Sequence, residues 1–346
     1  MMQPSHTILI GSQTGRINLL LAKRTLKWCF ILLLFTVGVA IFALATGQLK
    51  TTFSELSQVL FGEGERFLTT VVLEWRLPRL TSALVFGAAL GVSGALFQSL
   101  IRNPLGSPDV IGFNTGAYTG ALVVIILFGG GSLQIACGAI VGGIVCAGLV
   151  YGLAFKQGIQ GFRLIIIGIG VSAMLSALNT WMMISSNLET AMAAALWGAG
   201  SLNGVSWHQV VPSLSFISAA LLAAAMLARK LNLLEMGDDS ANMLGINSER
   251  TRQLAMLCGV ILTAAVTATA GPIAFIALVA PQLAKKLTRE GGLALIPAAF
   301  MGAMLLTLAD FIAANLFTPN QLPVGIVTVS IGGFYLIYLL IQQSGK

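Results

Sequence analysis

The chain has 346 residues, 56% of them hydrophobic and only 9% charged, with a mean hydropathy of +0.90. A water-soluble surface needs roughly a quarter of its residues charged, so a cytosolic enzyme fold, a disordered chain and a nucleic-acid-binding domain are excluded and a membrane protein remains. The net charge of +7 then marks basic loops held on the cytoplasmic side of a bilayer.

Arg16, Lys23, Arg24 and Lys27 precede an apolar run from 28 to 46 that closes on Ala43-Leu44-Ala45. The apolar region of a cleaved signal holds about 7 to 15 residues, and this run is longer. It is therefore expected to be an uncleaved first span behind a cytoplasmic tail, residues 1–27, with 28–346 forming one transmembrane domain. Helices cross the hydrocarbon in about 20 residues, and further apolar stretches of that order lie at 80–98, 110–128, 133–155, 164–184 and 210–228. After a polar interval come 253–284, 293–314 and 324–341.

The stretch 253–284 is too long for one span, and Gly271-Pro272 interrupts it, since proline removes a backbone donor and crowds the preceding turn. If it folds back as two segments, the chain is all-α with about ten transmembrane helices and both termini cytoplasmic. Fifteen of the nineteen Lys and Arg residues then fall inside, and only Lys50, Arg66, Arg76 and Arg79 fall outside. That bias fixes the orientation. Gly87/Gly91, Gly112/Gly116/Gly120 and Gly138/Gly142 place glycines on single helical faces, where backbones can approach closely. Cys29, Cys137, Cys146 and Cys258 lie in or beside apolar runs without CxxC spacing, which suits buried free thiols better than disulfides or zinc.

Few residues offer chemistry. Gly91-Val92-Ser93-Gly94 matches the GxSG of intramembrane serine hydrolases, but the chain's two histidines, His6 and His208, lie in the tail and in an outer loop, away from where a base for Ser93 is needed. No phosphate-binding loop is present, the only Gly-Lys pair being Gly345-Lys346, so the chain cannot itself bind and hydrolyse ATP by that route. Asp310 is the one carboxylate deep in an apolar stretch. It is either an ion relay of a secondary transporter or a group hydrogen-bonded to a neighbouring helix; in the second case Asp310→Asn should keep much of the activity.

The segment Arg102-Asn103-Pro104-Leu105-Gly106-Ser107-Pro108-Asp109 reads as a rigid inner hairpin. Arg102 closes one helix, and Ser107, Pro108 and Asp109 serve as N-cap, first residue and first-turn acid of the next. The interval 229–252 concentrates eight of the chain's thirty-one charges and reads as a cytoplasmic platform. There Asp239 or Ser240 caps a short helix that stops at Gly245, and Asn247 or Ser248 starts another. Helices this short need a surface to lean on. On the outside, Glu74-Trp75-Arg76-Leu77-Pro78-Arg79 sets two arginines at a helix start, where the dipole disfavours cations. They act as snorkelling anchors, as partners of Glu74, or as a dock for an acidic protein.

At these segments the chain resembles the permeases of binding-protein-dependent ABC importers for iron-siderophores, haem and vitamin B12. The resemblance rests on Arg76-Leu-Pro-Arg79, Gly87 to Gly94, Arg102-Asn-Pro-Leu105, Trp197 with Gly200-Ser-Leu202, Leu244-Gly-Ile246, Gly271-Pro272 with Phe275 and Pro281, Ala309-Asp310 and Leu322-Pro-Val-Gly325. Glu74-Trp75 and Gly106-Ser107-Pro108-Asp109 are most similar to the members that import ferric enterobactin, a catecholate siderophore.

The resemblance implies an inner-membrane permease subunit that makes and breaks no bond. It implies a second permease, identical or related, two cytoplasmic ATPases holding ATP and Mg, a periplasmic binding protein, a ferric-siderophore substrate, and no cofactor on this chain. It further implies that Glu235, Gly237, Asp238, Asp239, Ala241, Leu244, Gly245 and Ile246 meet an ATPase cleft, that Arg76 and Arg79 dock the binding protein, and that Asn103, Leu105, Gly161 and Phe162 form inner gates. The chain departs from many relatives in having Gln282 in place of a histidine and Ala314 in place of a further outward arginine.

Overall fold

The computed structural model describes residues 7–10, 19–47, 49, 51–155, 161–317 and 320–344. The apolar stretches become α1 (Lys23–Ala45), α4 (Leu77–Ile101), α5 (Phe113–Val123), α6 (Ser132–Ala154), α7 (Gly161–Ile184), α9 (Trp207–Leu234), α11 (Ser248–Ala270), α12 (Ile276–Thr288), α13 (Leu295–Asn315) and α14 (Val324–Ser344). Shorter helices α2 (Phe53–Leu60), α3 (Arg66–Thr70), α8 (Leu188–Gly198) and α10 (Asp238–Met243) lie between them. A π-helical turn, Val71–Arg76, joins α3 to α4, and another, Val124–Phe128, extends α5. Among the described residues, seven helical stretches are long and apolar enough to cross a membrane, and Phe113–Phe128 and Val324–Tyr338 are shorter apolar helices.

The tail differs from expectation. Thr7–Ile10 (β1) pairs antiparallel with Leu19–Ala22 (β2) just before α1. Seven of the eight residues in these runs are apolar, and such runs take up strand pairing when a polar, glycine-containing interval separates them. The basic residues Arg16, Lys50, Lys156 and Lys346 lie outside the described residues.

The 253–284 stretch does fold back. Helix α11 ends at Ala270, the backbone turns at Gly271 and Phe275 with φ of +70° and +69°, and α12 then starts. Lys285 and Lys286 in its last turn line one cavity with Arg102 and Glu235, which returns them to the platform's end of the bundle. Arg24 Nε donates to the Leu287 carbonyl at 2.9 Å and Thr25 Oγ1 to Glu290 at 2.6 Å. The start of α1 therefore lies at that end too, as does the end of α14, where Lys286 Nζ reaches Gln342 at 3.5 Å.

Helix α4 is the core. It is apolar on all sides and almost wholly buried, as a helix enclosed by others must be, and it packs against α13, α11 and α12. Lipid offers no hydrophobic drive for helices to associate, so close backbone packing does that work. A Cβ on Gly87 would lie 2.4 Å from the Gly302 carbonyl oxygen of α13, one on Gly91 2.1 Å from that of Ala298, and one on Gly94 1.7 Å from that of Ala277 on α12. The α5–α6 crossing uses the other glycine rows, Gly120 coming within 2.0 Å of the Gly138 oxygen by the same measure. By contrast α7 is largely exposed and apolar, a face for lipid or another subunit. Cys29, Cys146 and Cys258 are buried free thiols, whereas Cys137 is exposed on α6.

Candidate functional site

The platform is built around one carboxylate. Asp238 Oδ1 accepts from Arg102 Nη2 at 2.6 Å and from Arg252 Nη2 at 2.7 Å, and Arg102 Nη2 also donates to the Leu234 carbonyl at 2.9 Å. The end of α4, the end of α9 and the start of α11 are thereby tied together beneath α10. The short helix starts two or three residues earlier than its sequence suggested, at Asp238, and its N-cap is Gly237 at φ +114° with no side-chain cap. Asp239 and Ser240 lie inside it, because Asp238 is drawn to the two arginines. Ala241 is fully buried, Gly245 takes φ +79°, and Asn247 caps α11 by accepting from the Arg250 amide at 2.9 Å. Met236, Met243 and Leu244 are left exposed.

The connector between α4 and α5 is not the simple hairpin its sequence suggested. Arg102 does end α4, in left-handed backbone at φ +53°, but α5 begins only at Phe113, after Gly112 at φ +82°. Asp109 does not serve the first turn. Its carboxylate accepts from Asn114 Nδ2 and, at 3.3 Å, from the Phe275 amide at the head of α12. A tertiary donor has displaced the local cap. Asn103 Oδ1 accepts from the Leu105 amide at 2.9 Å, and Gly161, the first residue of α7, lies so close to Ile101 that a Cβ would be 2.4 Å from its oxygen. The four expected gate residues thus cluster near the end of α4, with Leu105 and Phe162 exposed. Asn103, Gln282, Lys285 and Tyr335 line an inner cavity of about 540 Å³.

At the opposite end of the bundle from the platform lies a cavity of about 630 Å³, lined by Arg76, Arg79, Asp310 and Gln321 among others. Arg79 and Asp310 form a two-pronged ion pair, Nε to Oδ2 at 2.8 Å and Nη2 to Oδ1 at 2.9 Å, and Arg79 Nη1 reaches Gln321 Oε1 at 2.7 Å. The pair is nearly buried. Arg76 donates to the Leu44 carbonyl at 2.6 Å, to Thr51 Oγ1 at 3.2 Å and to the Leu49 carbonyl. Neither arginine pairs with Glu74 among the described residues. Arg76 therefore has no carboxylate partner among the described residues, while Arg79 is paired with Asp310.

Ser93 is fully buried and its Oγ donates to the Gly259 carbonyl at 2.9 Å, with Thr263 Oγ1 also at 2.9 Å. It is a tie between α4 and α11. The partnerships of Arg79 with Asp310, Arg252 with Asp238 and Gln282 with Pro104 had no signal in the sequence, because each joins residues from different elements.

The chain is 55% identical over 325 residues to the ferric enterobactin transport system permease protein FepG of Escherichia coli K12, covering 94% of this chain and 98% of that one. It is 37% identical over 320 residues to the iron(3+)-hydroxamate import system permease protein FhuG of Bacillus subtilis 168, covering 90% and 95%. A solved structure of a metal-chelate-type ABC transporter in an inward-facing conformation matches with a TM-score of 0.80 at 27% identity, over 91% of this chain and 99% of that one. The profile of the FecCD transport family matches residues 32–342, and the chain belongs to that family.

Proposed function

We propose that this chain is a permease subunit of an ABC importer that carries a ferric siderophore, of the catecholate type exemplified by ferric enterobactin, across the bacterial inner membrane into the cytoplasm. The 55% identity to the E. coli ferric enterobactin permease over nearly the whole of both chains carries the reading. The protein crosses the bilayer ten times within one domain, residues 28–346, with both termini cytoplasmic. The seven long helices, the two shorter apolar ones and the returning α12 supply ten segments. A second permease completes the path. The exposed Leu105 and Phe162 then meet their counterparts across that interface to form the inner gates with Asn103 and Gly161.

Two separate ATPases, holding ATP and Mg, engage the platform through Glu235, Gly237, Asp238, Asp239, Ala241, Leu244, Gly245 and Ile246. Ligand and nucleotide act by binding inward- and outward-open states with different affinity. At the outer mouth Arg76 supplies the field that attracts an acidic periplasmic binding protein, and Arg79, held by Asp310, shapes the same surface.

Gly245→Val tests the platform. A Cβ there has open space around it, but φ of +79° is a conformation β-branched residues avoid. The expected outcome is loss of ATPase co-purification with normal membrane insertion. Co-purification and uptake at wild-type levels would remove the coupling role from this segment.

A further inference from the structure

We infer that the connector 102–112 and helix α12 move as one body, and that Gln282 is the positioning residue that binds them. This rests on the importer reading above, since a moving gate is meaningful only in a transporter. Two ties join the two segments: Gln282 Nε2 donates to the Pro104 carbonyl at 2.7 Å, and the Phe275 amide at the head of α12 donates to Asp109 at 3.3 Å. The last turn of α4 joins them, Gln98 Nε2 donating to the Leu278 carbonyl at 3.0 Å.

The outer end of this body is a joint. Gly271 to Phe275 are non-helical between α11 and α12, with positive φ at both ends of the break, and such a break absorbs backbone rotation where packed helices cannot. The inner end is fixed to the platform through Arg102, whose guanidinium is held by Asp238. A displacement of α10 therefore reaches Arg102 directly, and the ties at Pro104 and Asp109 pass it to α12. Asn103 and Leu105 travel with it.

Gln282 makes the shorter of the two ties and has a second partner. Tyr335 of α14 donates its hydroxyl to Gln282 Oε1 at 3.4 Å, so one amide bridges connector, α12 and α14. The position must donate to a carbonyl and accept from a phenol at once. An amide does both, a neutral imidazole does both, an ionised carboxylate only accepts, and an aliphatic side chain does neither.

The test uses the complete complex, permeases with ATPases and loaded binding protein, in proteoliposomes with ferric enterobactin as probe. Ferric enterobactin transported per ATP hydrolysed is measured alongside the ATPase rate. Gln282→Leu and Gln282→Glu are expected to lower the transported amount per ATP about tenfold while hydrolysis continues, and Gln282→His to stay within about twofold of wild type. A role in folding alone would reduce the yield of complex and leave the ratio of the surviving complexes unchanged, which would overturn the inference.

A second experiment does not depend on those variants. In a background lacking the four native cysteines, Pro104→Cys with Gln282→Cys is joined by a short thiol-reactive crosslinker. If the segments move together, the crosslink replaces the lost hydrogen bond and restores transport per ATP; if transport stops on crosslinking, they move apart and the inference is wrong. Wild-type uptake in the same vesicles establishes the importer reading separately, before any variant is compared.

Discussion

Arg79→Ala or Asp310→Ala, each alone, should remove most of the folded protein from the membrane, whereas Arg79→Met combined with Asp310→Leu should recover much of it. Both groups are nearly out of solvent and joined by two short hydrogen bonds. Deleting one leaves the other as an uncompensated buried charge at a cost of about 3–5 kcal/mol, while exchanging the pair for apolar groups of similar volume is often neutral. Against a total stability of about 5–15 kcal/mol, a loss of that size is visible as a fall in melting temperature and in detergent-extracted yield. The geometry also revises the expectation for Asp310→Asn. Its amide nitrogen would face a guanidinium N–H that now meets a carboxylate oxygen, so the amide is not a near-silent replacement and should fall between wild type and Asp310→Ala. An Asp310→Ala protein as stable as wild type would show that the pair does not hold the outer ends of α4 and α13 together.

Gly94→Val should abolish folding outright. The added Cβ would lie 1.7 Å from the Ala277 oxygen and 2.6 Å from its carbonyl carbon, and neither backbone atom can rotate away as a side-chain tip could. The core must separate α4 from α12, breaking the Gln98 to Leu278 bond and opening a void beside the most buried helix, so the effect exceeds the roughly 1–3 kcal/mol of ordinary overpacking. Gly148→Val is the matched control, since a Cβ at that exposed α6 position meets nothing within 4 Å, and β-branched residues are tolerated on a lipid-facing surface. Membrane-inserted, monodisperse protein is expected from the control and not from Gly94→Val. Equal yields of the two would mean that α4 and α12 do not cross as described.

What could be read from the sequence follows a physical divide. Features governed by local periodicity or by the bilayer were legible. The apolar stretches became helices, the break at Gly271-Pro272 turned the chain back, and glycines spaced one turn apart met other backbones, as at Gly87 and Gly91 against α13. Features that depend on a distant partner were not. Asp310 is separated from Arg79 by 231 positions, so it stood out only as an isolated acid. Asp109 had the local signature of a first-turn acid, but its carboxylate is taken by Asn114 and by the amide of Phe275, 166 positions away, and the next helix starts five residues after Pro108. At the platform the expected stop at Gly245 is present while the start moved to Asp238, because two arginines from other segments compete for that carboxylate. The role of Gln282 was likewise invisible, since its partners belong to the connector and to α14.

ATP-driven import is tested by ferric enterobactin uptake into proteoliposomes that hold this permease with a partner permease, ATPases and binding protein, after proton and sodium gradients have been collapsed by ionophores. Uptake is expected to require ATP and binding protein and to be insensitive to the ionophores. Uptake that needs an ion gradient and proceeds without ATP would contradict it.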